Sequence, residues 1–148
     1  MDARARPAAG KPPAGTVALF VTCLVDLFRP TVGLATARLL EQAGYRVRVP
    51  AQSCCGQPNF NSGDRDGARQ MAARVIDQFA GFDYVVAPSG SCAAMLKHHY
   101  PALFDDNSAP GRSARELADR TWELTGFLVD VAGVASVDAT FDGVLTYQ

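Results

Sequence analysis

The chain has 148 residues, 48% of them hydrophobic and 20% charged, with a formal net charge of -1. That is the composition of one ordinary globular domain and excludes a disordered chain. Basic residues are scattered and no apolar run approaches the about 20 residues of a membrane span, so neither nucleic acid nor a membrane is an expected partner.

Residues 1–15 are rich in Pro, Ala and Gly with little to bury, and form an expected disordered tail. They lack the apolar stretch of a secretory signal, so a cytoplasmic location is expected. Residues 16–148 remain for the domain. Residues 16–22 are β-branched, aromatic and apolar on both faces, as a buried parallel strand is, and Cys23 follows at the carboxyl end. A loop is expected after Cys23, with a helix following Arg29 and Pro30. Val32, Ala35, Leu39, Leu40 and Ala43 follow helical spacing, with Gly44 placed to end the helix in a left-handed conformation. Residues 45–49 alternate apolar and basic as a second strand, Pro50 ends it, and the loop beyond carries Cys54 and Cys55.

Between residues 64 and 80, Ala68, Met71, Ala72, Val75, Ile76 and Phe79 form one helical stripe, and Asp64 and Asp66 in the first turn suit the helix dipole. Residues 83–87 read as a third strand, and residues 88–91 as a turn capping a helix from Cys92 towards Tyr100. A polar loop over 101–111 precedes a helical stretch through Trp122, then a second helix with Thr125 as its N-cap that ends near Gly133. Residues 144–147 read as a last strand. Strands alternating with helices in this way predict an α/β fold, a three-layer domain with a mainly parallel sheet and helices on both faces.

Four cysteines in a non-secreted domain of this size are not a disulfide framework, because the cytosol keeps thiols reduced. Taken singly, each is most simply a small buried hydrophobe. Their placement says more. In parallel sheets ligands sit outside the carboxyl ends of the strands. Cys23 follows the first strand, Cys54 and Cys55 the second, and Cys92 the third, so thiols separated by 30, 0 and 36 residues are expected at one rim.

Structural zinc sites draw their thiolates in pairs two to four residues apart, a habit the adjacent Cys54 and Cys55 fit poorly. Neighbouring side chains of an extended segment point to opposite sides, so a polynuclear cluster with several metal corners suits them better. Gly56 allows close backbone approach and a positive φ, and the helix start at Cys92 lowers a thiol pKa. These features are consistent with an iron-sulfur centre.

The motifs Phe20-Val-Thr-Cys23, Ser53-Cys-Cys-Gly-Gln-Pro58, Asn61-Ser-Gly63, Pro88-Ser-Gly-Ser-Cys92, Leu124-Thr125 and Phe127-Leu128 run through the chain in this order. Together they resemble the cysteine-rich CCG domain of heterodisulfide reductases, glycolate oxidase iron-sulfur subunits and lactate-utilisation protein A, most of all the last. The resemblance spans residues 17–148. It implies an iron-sulfur cluster, 4Fe-4S, held by Cys23, Cys54, Cys55 and Cys92 in a non-catalytic electron-transfer subunit. The implied assembly oxidises L-lactate or a similar 2-hydroxy acid such as glycolate, with its other subunits as partners. The family normally carries two such domains in tandem, so the chain corresponds to an amino-terminal half, with a second CCG domain as a further implied partner. One departure is that Met95 stands where a CxxC motif would place a fifth cysteine.

Asp26, Gln57, Asn59 and Asn61 are candidates for hydrogen bonds to cluster sulfurs or to a substrate carboxylate, or else for turns and caps. Arg29 is read as solvated, His98 and His99 as complements to a helix carboxyl end, and Met95 and Trp122 as core. No GxGxxG fingerprint or phosphate loop occurs. A thiol-disulfide redox protein, a clusterless interaction module and a structural zinc site stand as the alternatives.

Overall fold

A computed structural model describes residues 14–144. Its centre is a four-stranded, all-parallel sheet of β1 (Thr16–Leu19), β2 (Arg46–Arg48), β3 (Tyr84–Ala87) and β4 (Thr121–Glu123), in the order β2-β1-β3-β4. Val17 of β1 is aligned with Val47 of β2 on one side and with Tyr84 of β3 on the other. Val86 of β3 is aligned with Trp122 of β4. Because side chains alternate along a strand, the two faces build two cores. On one face Ala18, Phe20, Val85 and Ala87 pack with Val75 and Phe79, with Met95 and Leu96, and with Leu117. On the other, Val17 and Val86 pack with Leu40, Tyr45, Phe127 and Leu128. The expected three-layer α/β domain is therefore the fold.

Around the sheet run α1 (Cys23–Phe28), α2 (Pro30–Gln42), α3 (Gln57–Asn61), α4 (Arg65–Gln78), α5 (Gly90–Ala94), α6 (Ala109–Asp119) and α7 (Leu124–Gly126). A π-helical turn over Met95–His99 continues α5, and another over Phe127–Val131 continues α7. The stripe expected of α4 is the buried one, with Met71 alone half-exposed. Asp64 serves as the N-cap of α4, its carboxylate accepting from Gly67 N at 2.9 Å.

Several local expectations need correction. The stretch after Cys23 is not loop: Thr22 caps it, Oγ1 accepting from Val25 N at 3.3 Å, and it coils into α1. Helix α2 buries Gly33, Thr36 and Leu40, while Val32 and Ala35 face out. Gly33 lies against Val25 of α1, so the close approach of two helices, not hydrophobicity, chose the inward face. The helix expected through Trp122 stops at Asp119, and Thr121 and Trp122 belong to β4. The edge of β3 offers them ladder hydrogen bonds that a continued helix would leave unused, and the β-branched and aromatic side chains suit a strand. Trp122 is half-buried, packed against the core of Val17, Leu40 and Phe127 from its edge, with the Lys97 ammonium 4.9 Å from its ring centroid. Glu123, not Thr125, caps the following helix by accepting from Thr125 N at 2.8 Å and Gly126 N at 3.3 Å. Helix α5 begins at Gly90, two residues before Cys92. The tail expected over residues 1–15 and the strand expected over residues 144–147 lie almost wholly outside the described residues.

Candidate metal centre

All four strands are parallel, so the loops after β1, β2 and β3 leave the same edge of the sheet. The chain builds β2 to one side of β1, then crosses to β3 on the other, which makes the β1/β3 boundary the switch point where such sheets bind ligands. Cys23 follows β1 as the first residue of α1, and Cys92 follows β3 in the first turn of α5. Cys54 and Cys55 come from the loop between β2 and α3. All four thiols line one cavity of about 340 Å³, which they share with Thr22, Gln57, Ser89 and Ser91.

The sulfurs stand in two pairs. Cys23 Sγ lies 3.9 Å from Cys54 Sγ, at the exposed side, and Cys55 Sγ lies 3.6 Å from Cys92 Sγ, in the buried part. All four are free thiols. Two thiolates on one tetrahedral metal at about 2.3 Å stand roughly 3.8 Å apart. Each pair is thus spaced to share one metal corner. Among the described residues, no three Cys, His, Asp or Glu side chains are grouped to hold a single metal ion. The donor set of the cavity is all sulfur.

Electrostatics differ within the buried pair. A hydrogen bond from the Cys55 thiol pulls the Cys92 pKa down to about 6, burial opposes this, and bonds with Ser89 and Ser91 add to the lowering. Cys55 is pushed up, first by donating to Cys92 and then by burial. Cys23 is also raised, mainly by burial and by the neighbouring Cys54. Of the buried pair, Cys92 is accordingly the sulfur readier to ionise.

Directly after the adjacent cysteines the loop turns sharply. Gly56 takes φ +80°, a left-handed conformation that side-chain-bearing residues rarely adopt, and α3 starts directly behind it. A second anchor was missed by the sequence reading. Tyr100 is fully buried, and its hydroxyl donates to the Cys55 carbonyl at 2.9 Å across 45 residues of chain. Only the habit of buried Tyr to find a polar partner could have hinted at it.

Of the other candidates, Gln57 alone borders the cavity. Asn59 donates to Asp64 Oδ2 at 2.7 Å and so braces the start of α4. Asp26, Arg29 and Asn61 are exposed, and the cavity lining includes none of them. His98 is exposed, while His99 stacks on Phe60 with ring centroids 4.5 Å apart. Met95 is fully buried.

The family model for the cysteine-rich CCG domain matches residues 17–97, which hold all four thiols. The chain belongs to the cysteine-rich CCG domain family. Among curated relatives, this CCG domain is similar to lactate utilization protein A of Macrococcus caseolyticus, 50% identical over 131 residues that make up 88% of the chain and 53% of the relative. It is likewise similar to lactate utilization protein A 1 of Bacillus cereus, 46% identical over 131 residues, 88% of the chain and 54% of the relative. The chain spans about half the length of these relatives. No solved structure gives a significant match. Among the described residues of this CCG domain, no helix is long and apolar enough to cross a membrane.

Proposed function

We propose that Cys23, Cys54, Cys55 and Cys92 hold an iron-sulfur cluster of the four-iron type, and that the chain serves as a non-catalytic electron-transfer unit in the oxidation of L-lactate or a similar 2-hydroxy acid. The observation that supports the ligand is the meeting of four thiols, from three loops, around one cavity at the switch point of the sheet. Two close pairs, which among the described residues form no group of three or more able to hold a single ion, suit a body with several metal corners better than a mononuclear zinc ion. The substrate class rests on the likeness to relatives named for lactate utilization. The other subunits of such an assembly, in the cytoplasm, would be the partners, and the residues matched in the relatives would correspond to one half of a tandem CCG protein.

When bound, such a cluster supplies one-electron transfer at a potential that hydrogen bonding and solvent exposure set. The chain's residues prepare for it. Cys92 offers a thiolate, Ser89 and Ser91 bring hydroxyls beside it, and the buried Cys55 keeps water from the inner side. Cys23 and Cys54 close the exposed side, where an electron would enter or leave. Tyr100 positions Cys55 through its carbonyl.

Anaerobic reconstitution with iron and sulfide, followed by visible absorption, tests this reading. The wild-type chain takes on the brown charge-transfer spectrum, and each single Cys→Ser variant at the four positions loses or alters it. A spectrum unaffected by Cys92→Ser would remove that residue from the ligand set, and a chain that stays colourless would overturn the reading. The close thiol pairs as they stand suit two thiolates on each iron of a two-iron cluster, whereas a four-iron cluster takes one thiolate per iron and would require the pairs to part; iron content, about two against about four per chain, decides the type. The same close pairs favour one second reading, a thiol-disulfide protein whose Cys55 and Cys92 cycle between dithiol and disulfide.

A further inference from the structure

Thr22 stands immediately before Cys23 and is the N-cap of α1. Its Oγ1 accepts from Val25 N at 3.3 Å, and both residues line the cysteine cavity. A threonine hydroxyl has a proton to donate as well as lone pairs, and capping uses only a lone pair. The buried polar side chains are Thr22, Thr36 and Thr121. Thr36 donates its proton to the Val32 carbonyl at 2.8 Å, and Thr121 donates to the Leu117 carbonyl at 2.7 Å. Among the described residues, nothing receives the proton of Thr22.

Buried hydroxyls are paired as a rule, and Thr22 is only 3% exposed, so bulk water is a poor substitute. Ser89 and Ser91 differ, because their hydroxyls lie 3.3 Å from each other and Ser91 is open to solvent. A group that fills the cavity displaces the water in it, and the acceptor for the Thr22 proton is then that group. The Val25 amide, bonded to the same oxygen, polarises the hydroxyl and makes it a better donor.

We propose that the Thr22 hydroxyl donates a hydrogen bond to a sulfur of the cluster held in the cavity and thereby raises its reduction potential. This rests on the cluster reading above. Added negative charge falls partly on the sulfurs, and a hydrogen bond strengthens as its acceptor becomes charged, so the donor favours the reduced state. One electron is gained, from the reductant of the titration, and the proton stays on the threonine.

Potentiometric titration of the reconstituted 148-residue chain, followed by electron paramagnetic resonance, tests this. Thr22→Val makes one-electron reduction roughly fivefold less favourable, a fall of about 40 mV at about 59 mV per tenfold, and Thr22→Ser keeps the wild-type value. Electron-nuclear double resonance in heavy water reads the bond itself: the wild type has an exchangeable-proton coupling that Thr22→Val lacks. Thr22→Asp keeps an oxygen for Val25 N but brings no proton at neutral pH, so it loses the same coupling with the cap intact. Circular dichroism verifies folding, and the Asp variant decides alone if Thr22→Val does not fold. A potential unmoved by Thr22→Val, or a coupling that survives in Thr22→Asp, overturns the proposal and leaves the cluster reading standing. A wild-type chain that takes up no cluster overturns both.

Discussion

Replacing Tyr100 with Phe removes a single oxygen and leaves the Cys55 carbonyl without its donor. The bond is 2.9 Å long, Tyr100 is 0% exposed and Cys55 is 3% exposed, so water cannot step in. The ring keeps its packing, which confines the loss to the hydrogen bond. A buried acceptor left unpaired costs about 1–3 kcal/mol. Against a domain stability of roughly 5–15 kcal/mol, that is a measurable fraction. At this chain length each kcal/mol moves the melting temperature by about 2–4 °C, so Tyr100→Phe should melt roughly 2–12 °C lower. Urea unfolding should show a lower midpoint at unchanged slope. Because the bond ties the cysteine loop to the core, alkylation of Cys55 in the metal-free variant should also be faster. Unchanged midpoint and unchanged Cys55 reactivity would refute the reasoning. A shifted midpoint with unchanged reactivity would show that Tyr100 supports the core without positioning the loop.

Further consequences follow from the same geometry. Gly56→Ala forces a side chain into a left-handed conformation, with its Cβ 3.2 Å from Met71 Cβ, and should destabilise the chain by about 1–3 kcal/mol in urea unfolding. A loss near zero would mean that the loop has another way to turn. Mild peroxide treatment of the metal-free chain should link Cys55 to Cys92 and Cys23 to Cys54, each link removing two hydrogens, as read by peptide mass mapping. A Cys54–Cys55 link as the main product would contradict the pairing. The Asp83 carboxylate accepts from the Thr16 backbone N–H and from the Thr16 hydroxyl, both at 2.7 Å, and these bonds hold its pKa below the ordinary 3.8. The stability they contribute is therefore complete above that ordinary value and is lost as pH falls through the lower folded one. Carboxyl NMR should give a midpoint below 3.8 that rises in Thr16→Val, and a midpoint unmoved by that change would count against the bonds.

Patterns of period two and period 3.6 carried most of the architecture. The buried strands β1 and β3 and the stripe of α4 are legible because their apolar positions have a single burial solution. Strand order made the thiols legible as a group, since the parallel arrangement sends every strand-end loop to one rim. What escaped was settled by partners distant in sequence. Trp122 follows a helix in sequence but joins β3 in space, and no local signal separates the two outcomes. Helix α2 turns Gly33 inward because Val25 needs a small neighbour there, which a hydrophobicity stripe cannot show. The pairing of Cys23 with Cys54 and of Cys55 with Cys92, and the bond from Tyr100, depend on side-chain directions in the folded rim. Asn59, by contrast, carried an ambiguous sequence signal, and the structure gives it the modest role of bracing Asp64.

Iron and acid-labile sulfide, counted per chain in material purified without oxygen, test the central claim most directly. About four of each are expected for the wild type, with both falling sharply when Cys55 and Cys92 are replaced together by Ser. Zinc in place of iron, iron without sulfide, or the same content after that double replacement would contradict it.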